Sequence, residues 1–232
     1  MGGCSFIFEH HMQRLFDIIF SGLALIVFAP LLVPVMIVLR LTGEGEVFFR
    51  QERVGLHGVP FGLLKFATML KDSPNLGTGT ITTKDDPRVL PFGKLLRKTK
   101  LNELPQLINI LKGDMSIIGP RPQTRRCFDA FPKRSQDKII QVRPGLSGIG
   151  SVAFRGEEDM MDAAQDPDAL YDDVIMPYKG LLEEWYVTHR SLWNYFLLIA
   201  ITAWVVIFPQ SQLIWRVFSE LPKPPDALAR YL

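Results

Sequence analysis

Residues 101–122 read LNELPQLINILKGDMSIIGPRP, and the rest of the chain is organised around them. Pro105 suits the first position of a helix, where a missing N–H costs nothing. Leu107, Ile108, Ile110 and Leu111 then give an apolar face at helical spacing. Gly113 predicts the stop, because glycine accepts the left-handed cap conformation. The run closes on a rigid Pro120-Arg121-Pro122 strap. Asn102 and Glu103 thus precede a helix N-terminus, where free N–H groups and partial positive charge favour phosphate. Arg97, Lys98 and Lys100 stand just upstream, and Arg121 stands in the strap. One carboxylate, several cations and a helix start fit the handling of a phosphate ester. An amphipathic helix with solvated flanking charges fits the same spacing, and spacing alone does not separate the two.

Around this stretch lie 232 residues, enough for one domain with additions and for a sizeable core. The hydrophobic share is 47% and mean hydropathy +0.14, although 22% of residues are charged. That balance predicts a globular part joined to a membrane part. A net charge of +2 gives no ground for a nucleic-acid partner, and none is expected. Cys4 and Cys127 show no metal spacing and need not pair, so a reducing compartment is allowed.

Residues 18–39, IIFSGLALIVFAPLLVPVMIVL, carry no charge. The length matches the roughly 20 apolar residues a membrane helix needs. Pro30 and Pro34 interrupt it, and interior proline removes a hydrogen bond and kinks a helix. Arg14, Arg40 and Arg50 flank both ends, so the positive-inside rule names no orientation. A segment that enters the membrane, bends near Pro30 and returns to the same face explains both features. A kinked single-pass anchor is the alternative.

Residues 47–69 switch to short alternating runs with turns at Gly55, Gly58 and Gly62, which predicts two short strands or a hairpin. Lys65 is either a diphosphate contact or a solvated cation. Residues 71–83 are polar with Pro74, Gly77 and Gly79, and read as a mobile loop covering a site. Residues 93–99 read as a basic helix delivering Arg97 close to Glu103. Residues 135–143 read as a helix and strand supporting Arg143, whose planar fork suits phosphate. The acidic run 156–173 fits no calcium loop and reads as a solvated surface. Residues 176–190 read as a packed helix. Residues 192–215 are apolar, with Trp193, Tyr195, Trp204 and Trp215 suited to a headgroup boundary, and predict a second, shallow membrane-associated helix. Residues 221–232, with three prolines, read as a loose tail.

Several words of this sequence recur together elsewhere. Lys112-Gly113-Asp114-Met115-Ser116, Gly119-Pro120-Arg121-Pro122, Phe49-Arg50-Gln51-Glu52-Arg53-Val54-Gly55, Lys65-Phe66 and Arg143-Pro144-Gly145 stand in order. The chain closely resembles the bacterial sugar transferase family, the monotopic phosphoglycosyl transferases, from about residue 14 to residue 144. The resemblance implies a mixed α/β, helix-dominated, membrane-associated monotopic fold with an N-terminal re-entrant helix. Ala29-Pro30 stands at the family's Ser-Pro-like break. The implied division is 1–41 for that helix, 42–191 for a cytoplasmic catalytic domain, and 192–232 for the C-terminal apolar helix and tail.

The implied activity is transfer of a sugar-1-phosphate from a UDP-sugar to polyprenyl (undecaprenyl) phosphate, with release of UMP. It implies a place on the cytoplasmic face of the bacterial inner membrane, magnesium as cofactor, and allows a homo-oligomer. Lys65, Arg88, Arg97, Arg121, Pro122 and Arg143 become candidates for substrate contacts. Asn102 and Glu103 become candidates for the chemistry and for the metal. The sequence departs from the family in two places that matter. Ala67 replaces a frequent arginine, and Asn102 replaces the nucleophilic aspartate, for which a neutral amide is a poor substitute. Four readings stand open. Glu103 is the nucleophile; or the acceptor phosphate attacks directly with Glu103 as metal ligand or base; or the site is inactive and the protein a membrane scaffold or regulator; or Asn102 is an introduced trap. An integral transporter is disfavoured by the charged, globular middle of the chain.

Overall fold

The computed structural model describes residues 2–75, 86–162, 164–229 and 231–232. Helix α1 (Gly2–Leu41) carries Pro30 and Pro34 in its interior and, at about 1.5 Å per residue, extends roughly 60 Å. Its apolar side chains divide into two sets. Leu32, Val35 and Leu39 are buried against Phe66 and Leu96, and Ala24 and Leu25 pack against a cluster of Leu63, Leu107, Ile110 and Met115. Leu23, Ile26, Val27, Val33 and Ile37 are exposed. At the start of the apolar run, Asp17 is 2% exposed, and its Oδ1 accepts from Ser116 Oγ at 3.0 Å, Ile117 N at 2.9 Å and Tyr195 Oη at 2.9 Å. Both ends of the apolar run therefore pack against the same globular body.

The hairpin forms as its alternation predicts. Strands β1 (Phe48–Val54) and β2 (Pro60–Phe66) pair antiparallel, with Phe49 opposite Lys65 and Val54 opposite Pro60. The reversal needs left-handed backbone at His57 (φ 56°) and Gly58 (φ 75°). Because strand side chains alternate, Phe49, Gln51 and Arg53 share one face. Helix α2 (Pro91–Lys98) starts on its proline and carries Arg97 in its last turn. Helix α3 (Gln106–Lys112) follows Pro105 and stops at Gly113 (φ 96°), as expected.

Strands β3 (Ser116–Ile118) and β4 (Gly145–Ser147) pair in parallel, and Gly119 N donates to Ser147 O at 2.9 Å while Gly145 N donates to Pro120 O at 2.8 Å. A Cβ at Gly145 would sit 2.1 Å from Gly119 N, so only glycine lets the strap lie this close. Helices α4 (Arg125–Asp129) and α5 (Lys133–Ile139) follow. Residues 135–143 contain the expected helix but no strand, because the chain turns through Arg143-Pro144 before it pairs.

Helices α6 (Ile149–Ala153), α7 (Glu157–Asp162) and α8 (Pro167–Leu170) and a wide turn at Tyr171–Ile175 lead into α9 (Met176–Thr188). Helix α10 (Leu192–Ile207) buries Tyr195, Leu198, Ile201 and Val205 along one stripe and exposes Trp193, Trp204, Val206 and Ile207 on the other. Phe196 of α10 stacks edge-on with Phe16 of α1 at 4.9 Å. Helix α11 (Leu213–Val217) precedes the tail. The tail is packed rather than loose. Leu221 and Leu228 are 6% and 0% exposed in the main core, and Tyr178 Oη donates to Pro222 O at 2.6 Å. Two leucines outweigh the turn-rich composition around them, because each returns apolar area to a core already formed by α9 and α10.

Candidate active site

Asn102 and Glu103 sit in a single tight turn, Leu101–Glu103, entered through Lys100 with φ 59°. A lysine in left-handed backbone costs on the order of 1 kcal/mol, and such conformations cluster at functional sites. The N–H groups of Glu103, Leu104, Leu107 and Ile108 are each taken by a carbonyl three residues back. Side chains therefore carry most of the positive charge at this site.

The turn opens on a cavity of about 790 Å³. The hairpin face contributes Gln51, Arg53 and Lys65; α2 and its C-terminus give Arg97, Lys98 and Lys100; the strap gives Arg121. On the far wall stand Glu157, Asp162, Tyr171 and Lys179. Among the described residues, seven lysines and arginines line the cavity against three acids, and Lys179 is already bound to Glu157 at 2.8 Å. An excess of cations around one turn selects a polyanion.

Glu103 is the acid at the centre. Its Oε1 lies 3.9 Å from Arg121 Nη2, and its Oε2 accepts from Gln106 Nε2 at 3.4 Å. Burial alone would raise its pKa, but Arg121, Lys65 and Lys100 outweigh burial and hold the carboxylate ionised below its usual range. Burial acts the other way on Lys65, which is brought down to about 7 by desolvation and by Arg53, Arg121 and Arg97, against the pull of Glu103. Arg53 is lowered to about 10 by burial and by Arg121. Its Nη1 donates to Pro122 O at 3.1 Å, which fixes the strap to the hairpin.

Asn102 is 7% exposed and lines the cavity, and its Oδ1 is buried with no hydrogen-bond partner among the described residues. A buried acceptor left unmade costs about 1–3 kcal/mol, so among the described residues this oxygen is free to take a donor or a cation. Among the described residues no three His, Cys, Asp or Glu gather as a metal cage. Magnesium does not need one, since it binds through one or two carboxylates together with substrate phosphates. The Glu103 carboxylate and the Asn102 oxygen are hard ligands that fit magnesium brought in with a diphosphate.

Two candidates are not brought to this cavity. Arg88 is 5% exposed, and its Nε and Nη2 hold Asp86 at 2.6–3.1 Å while Nη1 donates to Ser73 O at 2.8 Å. Arg143 faces the other end of α3, where its Nε donates to Gly113 O at 2.8 Å in a small pocket shared with Arg14, Asp17 and Arg190. Pro122 is buried in the strap and acts through its carbonyl. Residues 76–85, on which most of the expected covering loop falls, lie outside the described residues.

Sequence reading missed the far wall. Glu157, expected to be solvated, closes on Lys179, whose side chain is 2% exposed and whose ammonium stands 4.8 Å from the Phe154 ring centre. The signal was available in α9, where Lys179 and Glu183 fall one turn apart on a helix otherwise read as packed.

Residues 8–209 match the family described as Bacterial sugar transferase. The chain belongs to that family. A bacterial sugar transferase from Caulobacter vibrioides, named UDP-glucose:undecaprenyl-phosphate glucose-1-phosphate transferase, is 35% identical over 171 residues, covering 72% of this chain and 63% of that protein. An Escherichia coli protein of the same name is 37% identical over 154 residues, covering 65% of this chain and 33% of that protein. The exopolysaccharide production protein ExoY of Sinorhizobium fredii is 36% identical over 159 residues, covering 62% of this chain and 70% of ExoY. The chain thus spans a third to somewhat under two thirds of the length of the two glucose-1-phosphate transferases. Within the family match, the cavity gathers the hairpin words, the turn at Asn102-Glu103 and the Gly-Pro-Arg-Pro strap around one space.

Proposed function

We propose that this bacterial sugar transferase moves a sugar-1-phosphate from a UDP-sugar to undecaprenyl phosphate, releasing UMP and starting the assembly of a polysaccharide or glycoconjugate. The observation that carries the reading is the cation-lined cavity around an ionised Glu103. The names of the relatives support the same donor and acceptor classes. Arg121, Lys65, Arg97 and Lys100 bind and neutralise the donor's diphosphate. Phosphoryl transfer needs mainly such positioning and charge stabilisation. Magnesium, held by Glu103 and Asn102 with the diphosphate, would add neutralisation of charge on the leaving phosphate.

A phosphate acceptor already ionised needs no general base. Two balanced routes use the remaining groups. In the first, a Glu103 oxygen attacks the sugar-linked phosphorus, the bond to UMP breaks and UMP leaves with the electron pair. The acceptor phosphate then attacks the same phosphorus and restores the carboxylate. In the second, the acceptor phosphate attacks directly and UMP leaves in one step. The first route releases one equivalent of UMP without acceptor; the second releases none.

We read α1 as re-entrant, with both ends at the cytoplasmic face, residues 42–191 as the catalytic part, and α10 as lying in the same interface. Asp17 and Leu39 support this, since they flank the apolar run and both pack on the globular body. A helix crossing the bilayer would put its ends on opposite sides.

The test is UMP release from a UDP-sugar panel with magnesium and undecaprenyl phosphate, run beside Asn102→Asp and Glu103→Gln. Turnover lost in Glu103→Gln supports the assignment. Turnover found only in Asn102→Asp identifies the chain as an impaired or trapped transferase. No release from any folded variant on any donor refutes the reading.

A further inference from the structure

The Pro120-Arg121-Pro122 strap contains a single backbone N–H, that of Arg121, because neither proline has one. That N–H donates to Glu183 Oε1 at 3.4 Å. Glu183 comes from α9, 62 residues away in sequence, and is 1% exposed. Its second oxygen, Oε2, is buried with no partner among the described residues. Helix α6 closes over the same carboxyl through Gly150, where a Cβ would lie 2.3 Å from Glu183 Oε1. A packed apolar side chain would serve this core position at lower cost than a half-satisfied carboxyl. The strap's other end is held by Arg53, so Arg121 is gripped from both sides of the cavity.

We propose that Glu183 is a positioning residue for Arg121: it holds the one N–H of the strap and so sets where the Arg121 guanidinium stands relative to Glu103 and the donor's diphosphate. This rests on the transferase reading for its catalytic consequence, but the contact itself does not.

The position is tied to pH. Burial pushes the Glu183 carboxyl up to about 7, against the Arg121 N–H, Lys179 and the Arg121 guanidinium, which favour the ionised form. The charged and titratable groups facing it are Arg121 from the strap and Lys179 and Tyr186 from its own helix, with Glu157 of α7 beyond Lys179. Above neutral pH the N–H meets a carboxylate, and below it a neutral carboxyl. Charge-assisted bonds are about twice as strong as neutral ones. The strap is therefore held more firmly when Glu183 is ionised, and kcat steps up about tenfold as pH rises through the inflection. KM for the donor changes little, since Arg121 remains in the cavity in both states.

The experiment uses the full-length protein labelled with ¹⁵N-arginine, with Arg121→Lys identifying the Arg121 amide. Its resonance should titrate with an inflection near 7 in the parent protein. The inflection should vanish in Glu183→Gln, which keeps an acceptor but cannot ionise, and survive in Lys65→Arg, which removes the neighbouring titration. In UMP-release assays, Glu183→Gln should show kcat near the parent's low-pH plateau with the acid step gone. An amide that does not titrate in the parent overturns the proposal without any variant having to fold. A titration that persists in Glu183→Gln overturns it equally. A titrating amide with no step in kcat removes the positioning role. Absence of turnover in every protein refutes the transferase reading, while the amide titration still judges the contact.

Discussion

Replacing Asp17 with alanine tests how the apolar helix is fastened to the globular body. Three donors end on one oxygen: the Ser116 hydroxyl, the Ile117 N–H and the Tyr195 hydroxyl, all at 2.9–3.0 Å. Alanine strands all three in a site that is 2% exposed. A buried donor left unpaired costs about 1–3 kcal/mol, and the Ser116 hydroxyl can rotate to recover part of its loss, so the sum is about 3–5 kcal/mol. For a chain of this size that lowers the thermal midpoint by about 6–20 °C. Asp17→Asn keeps an oxygen where all three bonds converge and loses only charge assistance, which predicts about 1–2 kcal/mol. The assay is unfolding of the detergent-solubilised protein followed by tryptophan fluorescence. Equal losses in the two variants would refute the reasoning, because they would mean that Asp17 acts as a counter-charge to Arg14 rather than as a three-fold acceptor.

Three further outcomes follow from other parts of the molecule. Lys65 titrates at about 7 when the cavity is empty, and a bound diphosphate stabilises its protonated form. Affinity for UDP-glucose, which itself titrates nothing near neutrality, should be full below pH 7 and fall by up to about tenfold per unit above it. Calorimetry on Lys65→Arg should find that fall abolished. Leu228→Ala should cost about 2–4 kcal/mol in chemical unfolding, since Leu228 is 0% exposed; a loose tail would give less than about 0.5 kcal/mol. Ile26→Asp puts a charge on the outward face of α1, where Ile26 is 74% exposed. Flotation with phospholipid vesicles should weaken sharply while the unfolding midpoint in detergent stays in place.

The parts of the fold that the sequence disclosed are those with a local cause. Period-two alternation and turn glycines produced the hairpin, Pro105 marked a helix start, and Gly113 marked a stop. The parts that stayed hidden depend on contacts between distant segments. Arg88 follows Asp86 by two residues and is captured by it, while the carbonyl of Ser73, 15 residues earlier, completes its burial. Arg143 is 30 residues from Gly113 and is drawn to its carbonyl at the far end of α3. The tail carries the composition of a linker, yet Leu221 and Leu228 enter a core assembled by α9 and α10. Glu183 was legible only as one polar residue on a packed helix, and its role needs the strap, 62 positions earlier, to be brought against it.

The same long-range contacts join the membrane helix to the chemistry. Arg14 of α1 donates to the carbonyls of Ile110 and Leu111, the last turn of α3. Asn109 of α3 accepts from Leu64 N and donates to Gly62 O, which locks α3 to the strand that carries Lys65. The N-terminal end of α3 follows directly on Glu103. One helix of 7 residues thus has its end held by the membrane helix, its middle held by the hairpin, and its start set against the reactive turn. In the proposed reaction the lipid acceptor cannot leave the bilayer, so transfer takes place at a fixed depth. An enzyme that fixed its membrane helix through a flexible linker would lose that depth. On the proposed membrane placement of α1, these packed side chains and hydrogen bonds set the distance from the bilayer to Glu103, and loosening Arg14 or Asp17 should reduce turnover with the proposed acceptor, undecaprenyl phosphate, more than it reduces binding of the soluble UDP-sugar.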